Sequence, residues 1–489
     1  MHLSLKTIAG FLGPVIFIGF QAIDHPPSMT VQAWHVLGIT LWMALWWVTE
    51  AVPIAITALL PIVLFPLTGA LSIGATTASY GDKFVFLYLG GFLLAIAIEK
   101  WNLHRRIALN IINLIGTDLK LIVLGFMVAT AFLSMWISNT ATSVMMLPIG
   151  AAIISQLQDD PETRRNENAI FGKALMLGIA YSASIGGIAT LIGTPPNLVL
   201  AGMVQKLYQI EISFLQWLKI GLPISIFLLV VCWKYLTTFA FDLRNTVLPG
   251  GKAEIQKLLL SLGKTSKQEK RVLAVFILTA LAWITRSFLL QPILPFLDDT
   301  IIAVTAGILL FLIPSGKNGN RLLVWEDTVK IPWGIIILFG GGMALAKGFE
   351  ESALAVWIGE QLTALEHLPL ILMVFILVAA VNFLTEVTSN LATTAMLLPI
   401  LAPMAIAMNI HPYFLLVAAT LAASCAFMLP VATPPNAVVF GSGHLEIKDM
   451  VRTGIWMNVF SILIITLVIY FLLPVLWEIQ VDTLPHQFF

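Results

Sequence analysis

Charge is scarce in this 489-residue chain. Asp, Glu, Lys and Arg make up 11% of it, against about a quarter in a soluble domain. The two signs cancel, 26 against 26, so there is no basic surplus of the kind a nucleic-acid partner requires. Cysteine is nearly absent. Cys232 and Cys425 both lie in apolar runs and form no CxxC pair, which excludes a disulfide framework and a thiolate metal site. The histidines show no ligand spacing, no HExxH occurs, and no serine–histidine pairing falls within the apolar runs, so an intramembrane enzyme is not expected. What fills the chain instead is hydrophobic: 59% of residues and a mean hydropathy of +0.94. So little polar surface cannot cover a water-soluble core, and the chain reads as an all-α polytopic membrane protein.

A helix needs about 20 apolar residues to cross the hydrocarbon core. Candidate crossings run over 6–24, 31–49, 53–70, 84–99, 174–203, 213–241, 272–291, 299–314, 331–347, 413–441 and 453–477. The run after Lys6 is followed by no small-residue cleavage site, so it is expected to be a retained first span. Two more apolar stretches, 121–157 and 369–409, are each interrupted by a polar tip. Arg105, Arg106 and Lys120 precede the first stretch; Arg164, Arg165 and Lys173 follow it. Both flanks therefore read as cytoplasmic, and the stretch as a re-entrant hairpin. From Gly348 to Ile447 there is no Lys or Arg, only acids such as Glu350, Glu351, Glu360 and Glu366, so 369–409 reads as a hairpin entering from outside. The expectation is eleven transmembrane helices plus two re-entrant hairpins in the cell (inner) membrane, with the N-terminus cytoplasmic and the C-terminus external. The polar segment 242–271, with its basic residues, reads as a cytoplasmic linker with an amphipathic portion. Most tryptophans fall near span ends, as an interfacial belt would require, and Glu50 reads as capping a turn at the interface.

The chain repeats itself. The same 48 positions separate Gly90 from Ser138 and Gly341 from Ser389. Ser138-Asn139-Thr140-Ala141-Thr142-Ser143 corresponds to Ser389-Asn390-Leu391-Ala392-Thr393-Thr394, and Gly193-Thr194-Pro195-Pro196-Asn197 to Ala432-Thr433-Pro434-Pro435-Asn436. The opposite charge bias of their surroundings makes the halves inverted. The first repeat is expected over 1–241, with its hairpin at 121–157 and a broken helix at 174–203. The second is expected over 272–489, with a hairpin at 369–409 and a broken helix at 413–441. Inverted repeats with helices interrupted at matching places are the mark of a secondary transporter, with its site where the breaks meet.

Irregular backbone at membrane depth survives only where it is buried in protein or lines a wet cavity. A lone Ser/Asn/Thr cluster is commonly helix–helix glue, and a lone Pro-Pro a kink, but packing alone does not require four such elements in two inverted pairs. Tip hydroxyls, amides and freed carbonyls suit a small hard cation, while helix N-termini suit an anion. No Lys or Arg occurs in 121–163, 174–203 or 369–441. If the substrate is a dicarboxylate, bound cations and helix dipoles must balance it, because an unpaired anion is costly to desolvate. Na⁺ is the cation inferred from the oxygen-rich tips. Glu386, beside the second tip, is an intramembrane acid with three possible roles: ion or substrate contact, proton carriage, or a hydrogen bond inside the hairpin.

These motifs, together with Trp46-Trp47-Val48-Thr49-Glu50-Ala51-Val52-Pro53 and Lys330-Ile331-Pro332-Trp333-Gly334, resemble the divalent anion/sodium symporter family, the INDY-type carriers. The resemblance covers nearly the whole chain. It implies a homodimer of protomers whose transport domains move as elevators. It also implies one sodium site at Ser134, Ser138, Asn139 and Gly193, and a second at Thr385, Thr388, Asn390 and Ala432. Substrate would meet Ser138, Asn139, Thr140, Thr194, Ser389, Asn390, Thr433 and Pro434. Leu391 stands where many bacterial members have Thr, which makes the pocket less polar on that side. The function implied is Na⁺-coupled import of C4-dicarboxylates such as succinate, fumarate or malate. The rival within the family is a sodium-independent di- or tricarboxylate exchanger. A rival outside it, an arsenite or sodium/proton carrier, would call for ionisable residues at the breaks.

Overall fold

The computed structural model describes residues 5–116, 118–156, 167–243, 251–316, 319–361 and 368–479. Arg164, Arg165, Arg244, Lys317, Glu366 and the C-terminal residues from 480 onward lie outside the described residues. Within them the chain is helical and has no strand; Pro314 and Arg321 form an isolated bridge. Eight of these helices are long and apolar enough to cross a bilayer, and shorter apolar helices accompany them. Phe11, Phe239, Leu278, Phe296 and Phe471 stay exposed on the outer face, as lipid-facing side chains should.

Both interrupted stretches form helical hairpins. Leu119–Ser134 and Asn139–Ile154 make the first; Leu370–Thr385 and Asn390–Ala407 make the second. At a rise of about 1.5 Å per residue, the 16-residue arms reach about 24 Å, short of the roughly 30 Å hydrocarbon core. The first broken helix is Glu167–Ile188 followed by Pro195–Tyr208, and the second is Tyr413–Ala423 followed by Pro434–Phe440. In both, the helix restarts at the first proline, where the missing N–H is one the helix end would leave unpaired anyway.

The paired glycines have a packing role. A Cβ on Gly90 would overlap the Ala303 backbone, and one on Gly341 the Ala58 backbone, so both allow helices to approach at backbone distance. The stretch 53–70 differs from the single crossing expected for it. It forms two short helices, Ile54–Thr57 and Leu60–Thr68, and the freed Ala58 carbonyl accepts from Tyr80. Leu103–Ile115 and Leu354–Gln361 are further helices that hydropathy alone passes over. The expected linker is also partly structured, with a helix at Gly251–Ser261 and the next starting at Lys267 behind a Ser266–Glu269 capping box.

An interfacial belt does not account for all of the tryptophans. Trp47, Trp217 and Trp283 are buried and donate to the carbonyls of Ile54, Ile188 and Asp299, because a buried indole N–H needs a partner. Trp217 thereby braces the first break. Buried Arg286 binds Glu211 and Asp299, each at 2.8 Å, and Asp299 accepts from the Phe214 N–H at 2.8 Å. This knot ties three helix ends together beside the hairpin core.

Candidate functional site

The two breaks meet the two tips in one cavity of about 660 Å³. Its wall includes Ser138, Asn139, Thr140, Gly193, Thr194, Thr388, Ser389, Asn390, Ala432, Thr433 and Pro434. The remaining residues singled out from sequence, Ser134 and Thr385, are fully buried just beneath the tips. The halves interlock around the cavity: Pro195–Tyr208 packs on the second hairpin's Asn390–Ala407, and Pro434–Phe440 on the first hairpin's Asn139–Ile154.

Four helices begin at this cavity. Their N-caps are Ser138, Ser389, Thr194 and Thr433, so the positive ends of their dipoles face the space between them. Ser138 and Thr433 use their hydroxyls on their own helices, accepting from the Ala141 N–H at 3.2 Å and the Asn436 N–H at 3.3 Å. Ser389 and Thr194 make no side-chain cap bond, which leaves hydroxyl and amide groups for a guest. Phe92, Trp136, Ile192, Ile335, Val387, Leu391 and Val431 supply apolar wall.

Beneath each tip, hydroxyl, side-chain amide and backbone carbonyl groups converge. Ser134 Oγ stands 2.6 Å from both Asn139 Oδ1 and the Ala183 carbonyl, yet a hydroxyl carries one proton and serves one of them. The same Asn139 terminal atom is 3.3 Å from the carbonyl oxygens of Gly193 and Ala183. If that atom is nitrogen, it donates to its neighbours. If it is oxygen, it completes a cluster of four oxygens, a donor set that suits a small hard cation. The second tip repeats the arrangement, with Thr385 Oγ1 2.8 Å from Asn390 Oδ1 and 2.9 Å from the Ala423 carbonyl. Ala183 and Ala423 offer only backbone oxygen, so no side-chain signal marks them in the sequence. Thr388 turns its hydroxyl to Leu384 O at 2.9 Å and Thr393 Oγ1 at 2.5 Å, which leaves its carbonyl for any ligand role.

Three residues outside the sequence-based set build the site. Asn197 Nδ2 donates to the carbonyls of Gly187, Ile188 and Thr190, and Asn436 Nδ2 to those of Ala426 and Leu429. Each closes its break through carbonyls seven and ten positions back. The Tyr88 hydroxyl donates to Pro195 O at 2.7 Å from the cavity wall. Lys6 also reaches the lining, but it pairs with Glu50 at 3.6 Å and both side chains are more than half exposed. The pair contributes no net charge, and Glu50 itself ends the Val31–Thr49 helix in a left-handed turn.

A profile of the family described as the sodium:sulfate symporter transmembrane region matches residues 6–479. The chain belongs to the sodium:sulfate symporter family. The sodium-dependent dicarboxylate transporter SdcS of Staphylococcus aureus strain USA300 is 48% identical over 483 residues, covering 98% of this chain and 93% of its own. SdcS of Staphylococcus saprophyticus is 48% identical over 482 residues, covering 97% and 93%. The fold is shared with two solved transporters at 12% identity. The YdaH transporter of Alcanivorax borkumensis has a TM-score of 0.59, covering 90% of this chain and 98% of its own. MtrF of Neisseria gonorrhoeae has a TM-score of 0.58, covering 96% and 95%. This sodium:sulfate symporter family chain is therefore a multi-pass membrane transporter.

Proposed function

We propose that this chain is a secondary active transporter that imports C4-dicarboxylates such as succinate, fumarate or malate in symport with Na⁺, leaving its cargo chemically unchanged. One observation carries the reading. A cavity rimmed by four helix N-termini, with no net side-chain charge on its wall, lies over two clusters in which hydroxyl, side-chain amide and backbone carbonyl groups converge. The dipoles alone supply only partial charges, so a dianion there needs mobile cations, and the oxygen clusters fit them. Relatives named sodium-dependent dicarboxylate transporters, 48% identical over almost the full chain, support the same cargo and ion.

In this reading Ser134, Ser138, Asn139 and Gly193 hold one Na⁺, and Thr385, Thr388, Asn390 and Ala432 the other. Ser138, Asn139, Thr140, Thr194, Ser389, Asn390, Thr433 and Pro434 bind the carboxylates. The chain crosses the membrane eleven times as two inverted repeats, 1–241 and 272–489, joined by the cytoplasmic linker 242–271, with the N-terminus cytoplasmic and the C-terminus external. Both hairpins and both broken helices move together as the elevator of a homodimer, a motion that the interlocking of the halves supports.

Radiolabelled succinate uptake into proteoliposomes, with a Na⁺ gradient or with choline in its place, tests the function. Gradient-driven accumulation with no internal substrate is expected, and it excludes obligate exchange. Equal accumulation in choline overturns the symport.

A further inference from the structure

The two unwound segments are held in place by different chemistry, and the difference centres on Glu386. This carboxylate is buried, at 3% exposure, just after the second hairpin's first arm. Its Oε1 accepts from the Phe427 N–H at 2.7 Å, the Met428 N–H at 3.0 Å and Asn458 Nδ2 at 2.8 Å; Oε2 accepts from the N–H groups of Met428 and Leu429, each at 3.1 Å. All these partners are donors. Three consecutive N–H groups released where the Tyr413–Ala423 helix stops are thus gathered on one side chain. Leu429 O in turn accepts from the Ala432 N–H at 3.2 Å and from Asn436 Nδ2 at 3.0 Å. The clamp therefore reaches Ala432 and Thr433 at the cavity wall. On the other side, the residue before Glu386 is Thr385, whose hydroxyl spans Asn390 and Ala423.

At the corresponding place beside the first tip the chain has Met135. It offers only its carbonyl, which accepts from Thr190 Oγ1 at 2.5 Å. We infer that Glu386 is a positioning residue for transport: it preassembles the oxygen cluster under the second tip, so that this half of the site takes its cation with little ordering of backbone, while the first half has no such clamp. Hydrogen bonds to a charged acceptor are the stronger kind, and a ligand set already ordered binds more tightly than one ordered on binding. The inference rests on the Na⁺-symport reading above.

The test compares Na⁺ activation of succinate uptake in proteoliposomes with the rise in melting temperature of the purified carrier as NaCl replaces choline chloride. Wild type, Glu386→Gln and Met135→Leu are measured side by side. In Glu386→Gln the amide nitrogen faces N–H donors, so the clamp is broken at near-constant volume. Its Na⁺ half-saturation is expected to rise about ten-fold or more, in uptake and in melting alike, while the maximal rate at saturating Na⁺ stays within about three-fold. Met135→Leu is expected to keep the wild-type Na⁺ curve. A Glu386→Gln carrier with an unchanged Na⁺ half-saturation, or one that loses only maximal rate, overturns the inference, as does an equal shift in Met135→Leu. If Glu386→Gln does not fold, Asn458→Ala decides by removing one donor and leaving the carboxylate. A rise of about three-fold in Na⁺ half-saturation supports the clamp, and no change refutes it. A wild type indifferent to Na⁺ in both measurements fails the symport reading itself, and this inference with it.

Discussion

The first break and the second do the same job with different residues. Both end a helix beside the cavity, expose a carbonyl to the hydroxyl under a tip, and restart at Pro-Pro. The first is compact because Gly187 and Gly193 have no side chains: a Cβ on Gly193 would come within 2.5 Å of Gly187 O. Trp217 holds its Ile188 carbonyl from outside, and Thr190 within the break donates to the Met135 carbonyl of the tip. The second has Ala426 and Ala432 at the matching places and gathers its N–H groups on Glu386. Inverted halves thus keep a geometry, not a residue list. A freed carbonyl can be met by any donor and a freed N–H by any acceptor, so the satisfaction of backbone groups is what recurs.

The largest effects should fall on what the two regions share. Asn139→Ala and Asn390→Ala are each expected to abolish uptake while the protein stays folded, as checked by transport and size-exclusion chromatography; normal Na⁺-dependent uptake by both would remove the site assignment. The differences come next. Gly193→Ala, which forces a Cβ against Gly187 O, should lower uptake by about ten-fold or more, since overpacking costs about 1–3 kcal/mol. Ala432→Gly should stay within about two-fold by the same assay, at a backbone cost of about 1 kcal/mol or less. Equal losses at both positions would mean that the breaks are packed alike. Thr190→Val removes the hydroxyl that holds Met135 O and should cost about 1 kcal/mol of stability, read as a lower melting temperature. The smallest effect is expected from Leu391→Thr, which copies Thr140 onto the other tip. A few-fold change in competition among dicarboxylates should follow, and an unchanged profile would take position 391 out of the pocket.

Much of this was legible in the residues. Ser138-Asn139 and Ser389-Asn390 announced two hairpin tips, and the Thr-Pro-Pro-Asn pairs announced two breaks, because proline and N-cap residues act on the backbone within a few positions of themselves. What escaped was carried by backbone atoms or by distance along the chain. Ala183 and Ala423 lend only carbonyls, and no residue type signals that. The 53–70 stretch is apolar but for Thr57 and Thr68, so hydropathy could not register that its helix stops at Ala58 to admit Tyr80. Trp47, Trp217 and Trp283 sit near span ends as belt residues do, yet neighbours far away in the chain bury them.

Composition and motif therefore determined the solvent this chain folds in, the places where its helices stop, and the polar atoms left over there, since each depends on local chemistry. Which half's break meets which half's tip was decided only by the packed structure. So were the partners of Glu386, which lie outside its own hairpin, on the backbone of residues 427–429 and on Asn458. Partners 41 or more positions away are chosen by where whole helices come to rest, and that depends on all the side chains packed between them.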